Sequence, residues 1–136
     1  MSGLTYLNDE GAGQKYSDAC HYSQAVLLPG GIVKASGQGG WDPEGKLDAA
    51  DVAGQVKLAF DNVDRVLRTA GLRGWEDVYS VRSYHLELEG AFPLMVEELK
   101  RRLPNHRPVW TCVGVPALAL KEMQVEIEVE ATKSDK

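Results

Sequence analysis

The tightest constraint on this chain is a pair of alternating segments near its C-terminus. In Val109-Trp110-Thr111-Cys112-Val113-Gly114-Val115, the residues Val109, Thr111, Val113 and Val115 share one side of a strand and Trp110, Cys112 and Gly114 the other, because successive side chains point to opposite faces. In Val125-Glu126-Ile127-Glu128-Val129-Glu130-Ala131, the aliphatic residues face one way and the glutamates the other. Two half-buried strands are the direct reading, so the domain is built on a sheet with one apolar and one polar face. The glutamate row itself has two readings. It is a solvated sheet face, or a member of it borders a cleft, where partial burial raises a carboxyl pKa and suits it to moving protons. Alternation does not separate the two.

Upstream residues supply partners for that sheet. Met1–Tyr16 is polar, glycine-bearing and without period, so residues 1–18 are expected to form a loose arm. Cys20–Leu28 alternates as a strand, Pro29-Gly30-Gly31 makes a turn and Ile32–Ser36 returns, forming a hairpin. Gly37, Gly39 and Gly40 follow without the Lys-Ser/Thr of a phosphate loop, and point instead to a bend with close backbone approach. Asp48 or Asp51 caps a helix carrying Val52, Val56, Ala59, Phe60, Val63, Val66, Leu67 and Ala70 on one stripe, and Gly71 ends it. Glu76–Glu87 reads as a strand whose imperfect alternation implies a bulge. Phe92, Met95, Val96, Leu99 and Leu103 mark a second amphipathic helix that stops at Pro104-Asn105.

These elements predict a single α+β domain over residues 19–132 with a short tail, 133–136. It has a mixed sheet of about six strands and two helices on one face. The other face is left bare, and burying it against copies of the same chain is the simplest solution.

Composition removes several functions. A chain of 136 residues is one domain. With 15 Lys and Arg against 20 Asp and Glu, the formal net charge is −5, which disfavours nucleic acid as a partner, since phosphate neutralisation needs a basic patch. The local cluster Lys100-Arg101-Arg102 with His106 and Arg107 is read as a helix C-terminus complementing its dipole. Cys20 and Cys112 lie far apart without metal-ligand spacing, so no metal and no cofactor are expected. No signal peptide and no run near the ~20 apolar residues of a membrane helix is visible, so no membrane contact and a cytoplasmic location are expected.

The run Arg-Pro-x-x-x-Cys-Val at residues 107–113, Val-Glu-Ile-Glu-x-x-Ala ending at Ala131, Tyr22-Ser23-Gln24 and Ser36-Gly37-Gln38 together resemble the RidA (YjgF/YER057c/UK114) family, from about Cys20 to Ala131. The resemblance implies a chorismate-mutase-like homotrimer with small-molecule clefts at its subunit interfaces. It also implies hydrolysis of reactive enamines and imines to a carbonyl compound and ammonia. Cys112 and Glu126 match the family's catalytic Cys and Glu, and Tyr22, Ser36 and Gly37 its pocket residues. Trp110 stands where the family carries an arginine that grips the substrate carboxylate, and Val96 lies where an Asn is often found. Arg107 is a candidate replacement, although a regular strand through Pro108 would place it on the face of Val109 rather than that of Trp110.

Plainer roles compete for each residue. Cys112 is first a small buried hydrophobe. His21 and His85 are ordinary strand histidines, and Tyr22 and Trp110 fit a subunit interface. Two functions of different class therefore stand: an imine hydrolase of altered specificity, or a non-catalytic ligand-binding trimer. Some members of the family have been described as ribonucleases or translation inhibitors, a reading the acidic balance disfavours.

Overall fold

The computed structural model describes residues 3–133. Its elements are β1 (Thr5–Leu7), α1 (Ala12–Cys20), β2 (Ala25–Leu27), β3 (Ile32–Gly39), α2 (Val52–Thr69), a 3-10 turn (Gly74–Asp77), β4 (Val78–His85), α3 (Leu88–Arg102), β5 (Val109–Gly114) and β6 (Val125–Thr132). The strands form one mixed six-stranded sheet ordered β1-β2-β3-β6-β4-β5. All pairs are antiparallel except β4 with β5, which run parallel. A parallel pair needs a crossover, and α3 supplies it.

The predicted α+β domain is observed, with α2 at its centre. Asp51 accepts a hydrogen bond from the Gly54 N–H at 2.9 Å and so caps the helix start. At the far end Gly71 has φ 86°, and the N–H groups of Gly71 and Leu72 bond back to Arg68 and Leu67. That is the two-bond termination a left-handed glycine permits. Val56, Ala59, Phe60, Val63, Val66 and Leu67 are buried against Val33, Val125, Ile127, Val129 and Ala131 of the sheet. Trp75 stacks on Phe60 with ring centroids 4.6 Å apart and donates its indole N–H to the Phe60 carbonyl.

Three sequence expectations need correction. The loose arm is structured. β1 pairs with β2, Gln24 Oε1 accepts the Asp9 N–H at 2.8 Å, and Asn8 Oδ1 accepts the Gln24 N–H at 2.9 Å. Asp9 also accepts the Gly13 N–H and pairs with Arg65. Polar long-range bonds leave no apolar period to read, so the third helix, α1, escaped the sequence. The strand expected over Cys20–Leu28 is only Ala25–Leu27, because Cys20 closes α1 and His21 turns the chain at φ 60°. Finally, Phe92 leaves the core stripe of α3 and is 47 % exposed. The expected tail falls outside the described residues apart from Lys133.

The helix Asp51 caps, the Pro29-Gly30-Gly31 turn and both closing strands stand where the sequence puts them. The irregularity expected in Glu76–Glu87 is a 3-10 turn before β4 together with a register shift between Val78 and Ser80. Among the described residues no helix is long and apolar enough to cross a membrane.

Candidate functional site

β6 decides which side each candidate occupies. Residues paired across neighbouring strands point to the same face, and β6 pairs Glu126 with Tyr84 and Ile127 with Ser83. Val125, Ile127, Val129 and Ala131 are buried beneath α2, so Glu126, Glu128 and Glu130 occupy the open face. There the glutamate row divides. The Tyr84 hydroxyl donates to Glu128 at 2.7 Å and the Tyr79 hydroxyl to Glu130 at 2.9 Å. The Glu126 carboxylate makes no hydrogen bond to any described residue.

What lies beside Glu126 is glycine. A Cβ placed on Gly37 would stand 2.5 Å from the Glu126 Cγ and Cδ, so this carboxylate lies directly over the β3 backbone. β3 is irregular between Ala35 and Gln38, and that distortion carries Gly37 to it. Ser36 is held alongside by its hydroxyl, which donates to the Ser23 carbonyl at 2.7 Å. Burial, and after it the nearby Glu128 charge, push the Glu126 pKa above the usual carboxylate range. Tyr22 is half-buried in the same neighbourhood; burial first, then nearby negative groups that include Glu126, raise its phenol. Glu126, Tyr22, Ser36 and Gly37 thus form one cluster around an acid whose side chain is unengaged and whose pKa lies above the ordinary carboxylate range, as suits a group that accepts and returns a proton.

Trp110 and Cys112 form another. β5 pairs Trp110 with Val81 and Cys112 with Ser83, which places both on the helix-covered side, opposite Glu126. Ser83, fully buried, is the hub. Its Oγ accepts the Trp110 indole N–H at 2.9 Å and lies 2.9 Å from His85 Nε2. His85 Nδ1 is buried with no partner among the described residues. A bare ring nitrogen is cheaper to bury than an orphaned N–H, so Nε2 carries the hydrogen and donates to Ser83, and the serine proton is left for the Cys112 sulfur. A hydrogen bond from Ser83 favours the thiolate, but burial outweighs it and pushes the Cys112 pKa up. At neutral pH the residue is a thiol. Phe92 completes this side, stacked on Trp110 at 5.2 Å and 15°.

Arg107 is not bound by strand alternation. β5 begins at Val109, so Arg107 and Pro108 precede the strand, and both line the same groove as Trp110. The sequence-based objection to Arg107 therefore falls away. Ser83 and Phe92 were missed by sequence reasoning. Ser83 looked like one polar residue among several in an imperfect strand, and Phe92 looked like core because it fits the helical stripe. Among the described residues no group of three or more His, Cys, Asp or Glu side chains is placed to hold a metal ion.

A mixed six-stranded sheet backed by helices, with an acid over a glycine strand and a Trp-Cys strand at the edge, defines the class. The chain belongs to the Endoribonuclease L-PSP family, whose profile matches residues 13–133. Within that family it is 32% identical over 118 residues to the RutC family protein YjgH of Escherichia coli, covering 85% of this chain and 88% of that protein. The solved structure of protein YJGH superposes with TM-score 0.82 at 30% identity, covering 98% of this chain and 99% of the other. A Mycobacterium tuberculosis member of the YjgF/YER057c/UK114 family superposes at 0.77 with 27% identity, over 95% and 98%. Escherichia coli TdcF with bound serine does so at 0.72 with 29% identity, over 83% and 88%.

Proposed function

We propose that this protein is a small-molecule hydrolase that deaminates an enamine or imine, working as a homotrimer whose ligand clefts lie between subunits. The observation that carries the reading is the division of the candidate residues between opposite faces of one sheet. Glu126, Tyr22, Ser36 and Gly37 cannot meet Trp110 and Cys112 within one chain, but two such surfaces from neighbouring copies can enclose a ligand. The division also gives the bare, tyrosine-bearing sheet face a partner.

In this mechanism Glu126, its pKa raised by burial and its carboxylate free of other hydrogen bonds, accepts a proton from water as the oxygen adds to the imine carbon. It returns a proton to nitrogen, the C–N bond breaks, and a carbonyl compound and ammonia leave. Trp110, standing where the family has arginine, redirects specificity toward a flat, conjugated substrate body. One relative, TdcF, is described with bound serine, an amino acid, which fits amino-acid-derived substrates.

A second reading, a trimer that binds its ligand without turnover, draws on the locked Trp110 ring and the protonated Cys112 thiol. RNA cleavage is poorly supported by a chain of net charge −5. The deciding experiment generates 2-aminoacrylate and larger imines in situ from amino acids and follows ammonia release by wild type, Glu126→Gln and Trp110→Arg. Turnover of a larger imine by wild type, abolished in Glu126→Gln, is expected. Ligand binding with no product from any imine would establish the second reading.

A further inference from the structure

The strongest unassigned feature is the groove between the end of α3 and the start of β5, about 910 Å³ in volume. Its walls are Val96, Leu99, Leu103 and Trp110, and its charged lining consists of Lys100 and Arg107, with no carboxylate among the lining residues. In a chain of net charge −5 that is an unusual local balance. Most other arginines here are engaged: Arg65, Arg68, Arg73, Arg101 and Arg102 all sit in ion pairs with Asp or Glu. Lys100 and Arg107 pair with no described acidic group. The C-terminal end of α3 contributes a partial negative charge of about one half, which offsets only part of these two cations.

The Trp110 wall is apolar in practice. The one polar atom of its side chain is spent on Ser83, and its ring is fixed by Phe92, so it offers the groove rigid ring carbon rather than a hydrogen bond. A rigid aromatic wall under unpaired cations suits one class of ligand: a small oxyanion carried on a planar apolar body.

We propose that this groove binds an aromatic carboxylate, with the Arg107 guanidinium gripping the carboxylate and Lys100 adding charge at the rim. The inference rests on the hydrolase reading above and names its substrate class: imino acids with aromatic side chains. The anionic anchor has moved out of the strand into the segment before it. Arg107 lies three residue steps from Trp110, at most about 10 Å along the chain, so the ring can lie on Trp110 while the carboxylate reaches Arg107.

The test titrates the full chain with 3-phenylpropionate, its neutral amide and phenyl phosphate, reading tryptophan fluorescence. Trp41 and Trp75 are buried at 5% and 3% exposure, so the response reports Trp110. Saturable binding of 3-phenylpropionate is expected, at least tenfold tighter than the amide and weakened by salt. Arg107→Gln is expected to weaken it tenfold or more and Lys100→Gln about threefold. Arg101→Gln, on the same helix end but outside the groove, should leave it within twofold.

Equal affinity for acid and amide, an unchanged Arg107→Gln, or no saturable response would overturn the proposal. Phenyl phosphate binding tenfold tighter than the carboxylate would overturn its assignment to carboxylates. Glu126→Gln separates the two readings, since it should retain probe binding while losing imine hydrolysis. Hydrolysis surviving in Glu126→Gln removes the mechanism alone, and failed probe binding with hydrolysis intact removes the groove alone.

Discussion

Placing a methyl group on Gly37 tests the mechanism without substituting any charged residue. The added Cβ would sit 2.5 Å from the Glu126 Cγ and Cδ, whereas carbon atoms in contact lie about 3.5–4.0 Å apart. The Glu126 side chain must therefore retreat by about 1 Å or more. It can do so cheaply, because the clash falls on the far end of a flexible side chain and not on backbone. Gly37 is not among the positive-φ glycines, so alanine fits its backbone, and the stiffer unfolded chain contributes about 0.4–1 kcal/mol in favour of folding. Stability should change by no more than about 1 kcal/mol in either direction. Catalysis should not be so tolerant, since a displacement of about 1 Å in a reacting group costs on the order of 100-fold, or about 2.7 kcal/mol of barrier. The assay is ammonia release from an aromatic imine generated in situ, with thermal unfolding by circular dichroism as control. The double variant with Glu126→Gln should lose no more than Glu126→Gln alone, because both changes act through one group. Gly37→Ala turnover within threefold of wild type would refute the reasoning.

Three further predictions follow from other parts of the molecule. The acid limb of the rate–pH profile should lie above the ordinary glutamate range, because Glu126 works deprotonated and its pKa is raised by burial and then by Glu128; Glu128→Gln should move that limb to lower pH. His85, buried and pushed from 6.5 down to about 4, binds a proton in the unfolded chain before it does so in the folded one. Stability is therefore present above pH 6.5 and lost as pH falls toward 4, by on the order of 3 kcal/mol, and His85→Gln should flatten urea-unfolding free energies across that window. Gln24→Ala removes the acceptor of the Asp9 N–H and the donor to Gln38 Oε1, at about 1–3 kcal/mol for each group left unpaired. Hydrogen exchange should then show residues 5–20 opening while the α2 amides stay protected.

The sequence by itself determined the elements whose stability comes from periodic apolar burial. Alternation placed β5 and β6, and a stripe at three- and four-residue spacing placed α2 between the Asp51 cap and Gly71. In such elements one face is paid for by local pattern, so the pattern is visible in the string. The sequence also confined the acid to three glutamates on one face. Alternation left the three equivalent and the resemblance pointed to Glu126; what physically distinguishes them appears only in the tertiary structure, because it depends on tyrosines in another strand. Tyr84 and Tyr79 engage Glu128 and Glu130, and irregularity in β3 sets Gly37 beneath Glu126. Likewise α1 and β1 are held by hydrogen bonds between residues 15 and 16 positions apart, which leave no local signature. The opposite placement of Cys112 and Glu126 had the same origin: each strand's alternation is legible, but which faces coincide is fixed by strand order and register, and those are properties of the folded sheet.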